Sequence, residues 1–451
     1  LRAAGWSSST ADTLDPAKAS LSTDYVRICQ FYNRLTFLNE QGEIEMELAE
    51  SVESADAKVW TVKLKKDVLF HDGHTLSSAD VVYALKRHLD PAVCSKVNAI
   101  AKQMETIEAV DPLTVKITLV AANADLPVIL ALHHFMIVAD GLSDFSKPNG
   151  TGAFLCETFE PGVRSVGTKN PHYFKPQGPY LDSFEFIAIA DDNARVNALM
   201  AGDIQFAASL NPRALRLLEG QTAVDTFKTT AGNYTDLNIR LDMDPGQKAG
   251  FVEGMKYLIN REQIQKSVMR GLAEIANDQP ISPASKYYNA ENKARAYDPD
   301  RAKDLFKKAG LLGTEIPMVA SEAATASLDM AMVVQQAAAG IGMKLKVDRV
   351  PSDGYWSNYW LKAPVHFGNI NPRPTPDILF SLLYASNAAW NESQFKSEKF
   401  DSMLGEARGM LDEAKRKEIY GEMQTMISNE AGTCIPVWIS NVDAKSSKVK
   451  G

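Results

Sequence analysis

Trp60 to Arg87 reads W-T-V-K-L-K-K-D-V-L-F-H-D-G-H-T-L-S-S-A-D-V-V-Y-A-L-K-R, and no other stretch constrains the fold as much. Trp60, Val62 and Leu64 alternate with Thr61, Lys63 and Lys65, the period of a strand with one buried face. Asp72-Gly73 then turns the chain, because Gly73 can take the positive φ that a tight turn needs. Ser77 with Asp80 three residues later forms a helix start, and Val81, Val82, Leu85 and Leu89 share one helical face.

The same alternation continues downstream and predicts an α/β architecture. Residues 192 to 201 read as a helix ended by Gly202, with a strand over residues 204 to 207. Residues 328 to 339 read as a helix before Gly340-Ile341-Gly342, followed by alternation at Leu345, Val347 and Arg349. Asp298 caps a helix opened by Pro299 and closed by Gly310. A late helix over residues 413 to 429 presents Ile419, Met423, Met426 and Ile427 on one apolar face.

A chain of 451 residues can bury a sizeable core and form two or three domains. Its net charge of −8 argues against a nucleic-acid surface and against tethering to anionic lipid by charge. No apolar run approaches the roughly 18–20 residues of a membrane helix; the longest, residues 126 to 139, is broken by Pro127, His133 and His134. The first residue is Leu1 rather than methionine, which fits a mature product whose signal peptide has been removed. Cys29, Cys94, Cys156 and Cys434 are far apart and make no C-x-x-C; most are expected to be small buried apolar residues.

Further motifs follow in a fixed order: T-L-D-P-A from Thr13, F-Y-N-R-L-T from Phe31, M-E-L-A-E-S-V-E from Met46, G-T-G-A-F from Gly150 and K-N-P-H-Y-F from Lys169. D-D-N-A-R-V-N-A-L-M-A-G-D-I runs from Asp191, K-Y-L-I-N-R-E-Q-I from Lys256, and Y-D-P-D-R-A-K-D-L-F-K-K-A-G from Tyr297. Together with the Trp60–Arg87 stretch, this series resembles the family 5 extracellular solute-binding proteins, the peptide and nickel receptors of ABC importers. The resemblance reaches from about residue 10 almost to the C-terminus.

The resemblance implies a two-lobed periplasmic-binding-protein fold with an inserted third subdomain and a ligand cleft between the lobes. Residues 1–37, 151–232 and 433–451 would form lobe I, residues 38–150 the inserted subdomain, and residues 233–432 lobe II. Crossings near residues 231–238 and 430–436 would act as hinges, with Gly232 and Gly432 absorbing dihedral change. It also implies a monomeric receptor in a bacterial periplasm or on the outer cell surface, capturing a peptide or peptide-like solute and delivering it to ABC permease subunits. No catalytic residue, metal or cofactor is expected.

The segment Phe367 to Ser393 is the best candidate for ligand contact. Pro372, Pro374 and Pro376 stiffen it against regular structure, so a rigid loop would hold Arg373 and Asp377. It lies where the family carries an aspartate-proline cluster, which makes Asp377 the expected partner of a ligand ammonium. The embedded Arg373 departs from that pattern: it either takes a carboxylate or phosphate, or neutralises Asp377. Trp390 and Asn391 read either as a cleft aromatic with an amide beside it or as core packing. Tyr355, Trp356, Tyr359 and Trp360 alternate over two helical faces, at least one of which is expected to be core. By position in the family, Asn33 and Arg34 from the first lobe and Tyr234 and Asn238 from the crossing also face the solute. Dipeptide receptors place an arginine near the start of a helix in the second lobe; residues 321 to 336 contain none, which argues against a free dipeptide.

His71 and His74 sit on a turn without further ligands nearby, and His133 and His134 are adjacent and face apart, so neither pair reads as a metal site. There is no G-x-S-x-G, H-E-x-x-H or glycine-rich phosphate loop. A hydrolase assembled from distant Asp, Glu and His, or a chaperone holding extended peptides, are the rival classes. Turnover of a peptide or ester would distinguish the first.

Overall fold

The computed structural model describes residues 1–5 and 9–450. The chain forms two units, Leu1–Phe227 with Val442–Gly451, and Lys228–Asn441. It passes from one to the other at Phe227/Lys228 and returns at Asn441/Val442, within the strands Val224–Ile239 and Val437–Ser446. The sequence reading set these crossings near residues 231–238 and 430–436, with Gly232 and Gly432 absorbing dihedral change; both glycines belong to the second unit. Their demands are local. Gly232 has φ +81°, and a Cβ there would lie 2.8 Å from Ser282 Oγ. A side chain at Gly432 would collide with the Ile239 carbonyl.

In the first unit, Arg2–Gly5 pairs in parallel with Ser183–Ala188 and with Phe206–Ala207. Antiparallel strands Arg164–Lys169 and Phe154–Glu160 extend the sheet on one side. A second, antiparallel sheet runs Ala49–Glu53, Val59–Leu64, Thr114–Leu119, Met104–Asp111. Val59–Leu64 alternates exposed and buried as the sequence required, with Trp60, Val62 and Leu64 inward. Helix Ser78–Arg87 starts with the Ser77–Asp80 capping box, and the turn before it holds Gly73 at φ +91°. One apolar core runs from Leu14 through Ala139. Residues 38–150 therefore share a core with the N-terminal stretch, whose Leu14, Ile28, Phe31 and Tyr32 belong to the same cluster as the inward residues of that sheet and its helix.

The second unit is a sheet between helices. Lys344–Arg349 and Glu315–Ala320 are parallel, Val365–Ile370 joins them, and Val224–Ile239 pairs antiparallel with Val365–Ile370. Leu237, Ile239, Val365 and Phe367 point into a core shared with helices Phe251–Leu258, Pro299–Lys308 and Ser327–Gly340. Tyr234 and Ile370 point the other way, into a core with helices Pro376–Leu383, Glu398–Gly409 and Glu413–Glu430. Asp298 caps Pro299–Lys308 by accepting from the Arg301 amide, as expected. The strand expected over residues 204–207 shortens to Phe206–Ala207.

All four cysteines are free thiols. Only Cys434 is buried; Cys29 and Cys94 are exposed and Cys156 half-buried. The expected burial fails at Cys94 because it ends a single 3₁₀ turn at φ +55° on the surface. Among the described residues no helix is long and apolar enough to cross a membrane.

Candidate functional site

Strand pairing decides which side chains of the crossing segment can reach a solute. Tyr234, Asp236 and Asn238 lie opposite Ile370, Gly368 and His366, so all six share one face of the sheet. That face is covered by helices. Tyr234 is buried and packs edge-to-face on Trp438, with ring centroids 5.4 Å apart. Asn238 is buried and accepts from Thr433 Oγ1 at 2.9 Å. Both sit inside the second unit rather than on a surface.

The loop after Val365–Ile370 is shorter than the prolines predicted. Thr375 caps a helix that opens with Pro376, a position where the missing N–H costs nothing. Asp377 is thus carried into the first helical turn instead of a rigid loop beside Arg373. There its carboxylate accepts from Arg408 Nε at 2.9 Å, and Arg408 also donates to Ser381 Oγ at 2.8 Å. Asp377 is buried and already neutralised by a cation other than Arg373.

Arg373 stays in the loop. One of its Nη1 hydrogens is steered by the Asn371 carbonyl at 3.0 Å, and the guanidinium lies 5.8 Å from the Trp390 ring centroid. It makes no ion pair among the described residues, and burial lowers its pKa. A half-buried guanidinium over an indole face has donors free for a carboxylate or phosphate.

Trp390 in turn meets Trp360 edge-to-face at 5.5 Å, and Trp360 meets Trp356 at 5.5 Å. Trp390 is 37% and Trp356 42% exposed, high values for such large apolar rings. Arg373, Trp390, Trp360 and Trp356 therefore form one continuous cationic and aromatic strip. The sequence singled out three of these; Trp360 was set only in the ambiguous aromatic run. Tyr355 is core, its hydroxyl donating to the Phe367 carbonyl at 2.6 Å. Asn391 is also internal: its amide donates to the Ala385 and Phe395 carbonyls and its oxygen accepts from the Phe395 amide at 2.9 Å.

Beneath the strip lies a group the sequence reading did not find. Trp360 Nε1 donates to Glu392 Oε1 at 2.5 Å. Glu392 and Asp236 are 4% and 0% exposed and converge over Gly368, where a Cβ would collide with Glu392 Oε1 and lie 2.5 Å from Asp236 Oδ1. Burial raises both carboxyls, Asp236 to about 6 and Glu392 well above its ordinary value.

In the first unit, Asn33 is buried, donating to Glu47 Oε1 at 2.9 Å and accepting from Thr151 Oγ1 at 2.9 Å. Arg34 is half-buried and donates to the Ala131 carbonyl at 3.0 Å. The His71–His74 turn is structural. His74 is bracketed by Asp72 at 2.7 Å and Asp80 at 3.1 Å. Burial opposes its charge, but the bonds to Asp72 and Asp80 outweigh burial and raise its pKa. A raised folded value contributes stability below the unfolded pKa and loses it as pH rises. His74→Gln is therefore expected to lower the urea midpoint at about pH 5.5 and leave it unchanged near pH 8.5, since the unfolded imidazole titrates at about 6.5. Among the described residues no three His, Cys, Asp or Glu come together as a metal site.

The family described as bacterial extracellular solute-binding proteins, family 5 Middle, matches residues 43–392. The chain belongs to that family. The family 5 protein is a solute-binding protein, not an enzyme, and the hydrolase alternative finds no support among its relatives. It is 27% identical over 455 residues to the glutathione-binding protein GsiB of Escherichia coli K12, covering 97% of this chain and 88% of that one. Its fold matches HbpA2 from Haemophilus parasuis at a TM-score of 0.90 and 21% identity, covering 100% of this chain and 96% of the other. It also matches the periplasmic binding protein DppA from Helicobacter pylori in complex with the peptide STSA, at 0.78 and 24% identity, covering 100% and 94%. The α/β architecture of the family 5 protein is thus that of periplasmic binding proteins.

Proposed function

We propose that this protein is the extracytoplasmic receptor of an ABC importer and captures an anionic, peptide-like solute for its permease subunits. The family match over residues 43–392 carries the receptor reading. The solute class rests on the Arg373–Trp390–Trp360–Trp356 strip. A guanidinium with free donors receives a carboxylate, and exposed indole faces take the apolar part of a small ligand. Glutathione, the solute named for the curated relatives, has this chemistry, carrying carboxylates on a short peptide frame. The protein acts as a monomer, exported by a signal peptide, in the periplasm or at the outer surface. Asp377, Asn391, Tyr355, Tyr234 and Asn238 hold the frame of the second unit, and Asn33 and Arg34 that of the first.

A thermal-shift screen over glutathione, other short peptides and opine-like acids tests this. A true solute at 100-fold its Kd adds about 2.7 kcal/mol to the native state, and it is recovered chemically unchanged. A raised melting temperature only with uncharged or cationic solutes removes the anionic assignment. Product formation from the bound solute removes the receptor reading.

A further inference from the structure

The Asp236–Glu392 pair lies outside the strip yet touches it. Glu392 accepts the Trp360 indole N–H at 2.5 Å, and Trp360 is the ring against which both exposed tryptophans rest. Both carboxyls are buried, and no lysine or arginine ion-pairs with either among the described residues. Among the described residues, around Asp236 stand only neutral donors, the Asn238 amide and the backbone N–H groups of Asp236 and Gly368, and around Glu392 the Trp360 indole and the Asn238 amide, so no cation balances a second charge. Two bare carboxylates meeting over Gly368 would repel strongly in this low-dielectric interior. One proton removes the repulsion and lets one carboxyl donate to the other.

We infer that Glu392 is a positioning residue of the solute surface: it shares a single proton with Asp236 and, through Trp360, fixes where Trp390 and Trp356 stand. This rests on the reading of the strip as the solute surface.

The surroundings leave the pair alone to titrate near neutrality. Tyr234 and Asn238 face it from its own strand, His366 and Gly368 from the neighbouring strand, Tyr355 and Trp360 from the segment 355–360, Tyr384 from the end of helix Pro376–Leu383, and Thr433 from the paired strand. Burial pushes His366 down to about 4, so it stays uncharged, and pushes the Tyr234, Tyr355 and Tyr384 hydroxyls up. Because both carboxyls are raised in the folded state, their stabilising contribution is present at acid pH and fades as pH rises through the folded values. Loss of the shared proton places two charges under Trp360 and shifts the ring.

The test needs no solute in its first arm. Tryptophan emission of the intact protein is followed from about pH 5 to pH 9.5, across the range into which burial moves carboxyl groups. Wild type is expected to show a transition above pH 6 that is absent from Trp360→Phe and from Glu392→Gln, whose amide can still accept from the indole and donates to Asp236 without a proton. Asp236→Asn provides the same comparison should Glu392→Gln not fold. In the second arm, glutathione affinity is expected to weaken at least 5-fold across that transition in wild type and to stay within 2-fold in Glu392→Gln. A transition that persists in both amide variants, or no transition in wild type, overturns the inference. Absence of glutathione binding at every pH counts against the solute assignment only and leaves the emission arm decisive.

Discussion

Asp278→Asn is expected to destabilise the second unit by about 3–5 kcal/mol, the cost of removing one partner from a buried ion pair. Asp278 is 0% exposed and receives Arg261 Nη2 on both oxygens at 2.7 Å, Arg295 Nη1 at 3.1 Å and the Ile435 amide at 3.0 Å. Lys256 lies in the same interior, its ammonium donating to the Ser428 and Ala431 carbonyls at 2.8 and 2.7 Å, and burial lowers its pKa to about 8. Asp278 is therefore the anion against which three cations are set. The amide keeps the shape, and asparagine tolerates the φ of +60° found there, so the substitution isolates the charge. The urea midpoint of the second unit measures the loss, and a change below about 1 kcal/mol, the worth of an exposed pair, would show that the cluster is not held by charge. Asp278→Ala should cost more still, because it adds strain at positive φ.

Local patterns were legible in the sequence wherever the physics is local. The alternation at Trp60–Leu64, the capping box at Ser77 and Asp80 and the Asp298 cap all depend on residues within a turn or two of each other. The proposed solute surface was only half legible. Arg373, Trp390 and Trp356 stand out by type, and each lies on the strip. Tyr234 and Asn238 stand out equally but are buried, because the face a strand residue takes depends on a partner strand far along the chain. Asp377 misled for a nearer reason: a third proline reads as continuing a rigid loop, whereas Pro376 opens a helix whose first turn carries the aspartate to Arg408. Asp236 and Glu392 were invisible, since nothing in either segment announces the other. The hint available was a glutamate directly after Trp390-Asn391, inside the segment read as the best candidate for ligand contact.

Trp390→Ala is expected to weaken solute binding by about 2 kcal/mol, or roughly 30-fold, the cost typical of losing an aromatic anchor at the centre of a contact surface. Two effects combine there. The indole provides apolar area that is 37% exposed without ligand, and its face supports the Arg373 guanidinium. Truncation removes both, leaving Arg373 steered only by the backbone carbonyls of Asn371 and Pro372. Arg373→Lys separates the two contributions: it keeps the charge and the indole but loses the planar fork that grips a carboxylate on two oxygens. Its expected loss is smaller than that of Trp390→Ala and larger for solutes with a free carboxylate than for their methyl esters. Isothermal titration with the solute selected by thermal shift measures both. Because Trp390 is partly exposed and its ring contacts among the described residues are Trp360 and Arg373, the melting temperature of unliganded Trp390→Ala should stay close to wild type. Equal affinity of wild type and Trp390→Ala, with both folded, would remove the strip from the solute site and with it the assignment of Arg373 as the carboxylate partner.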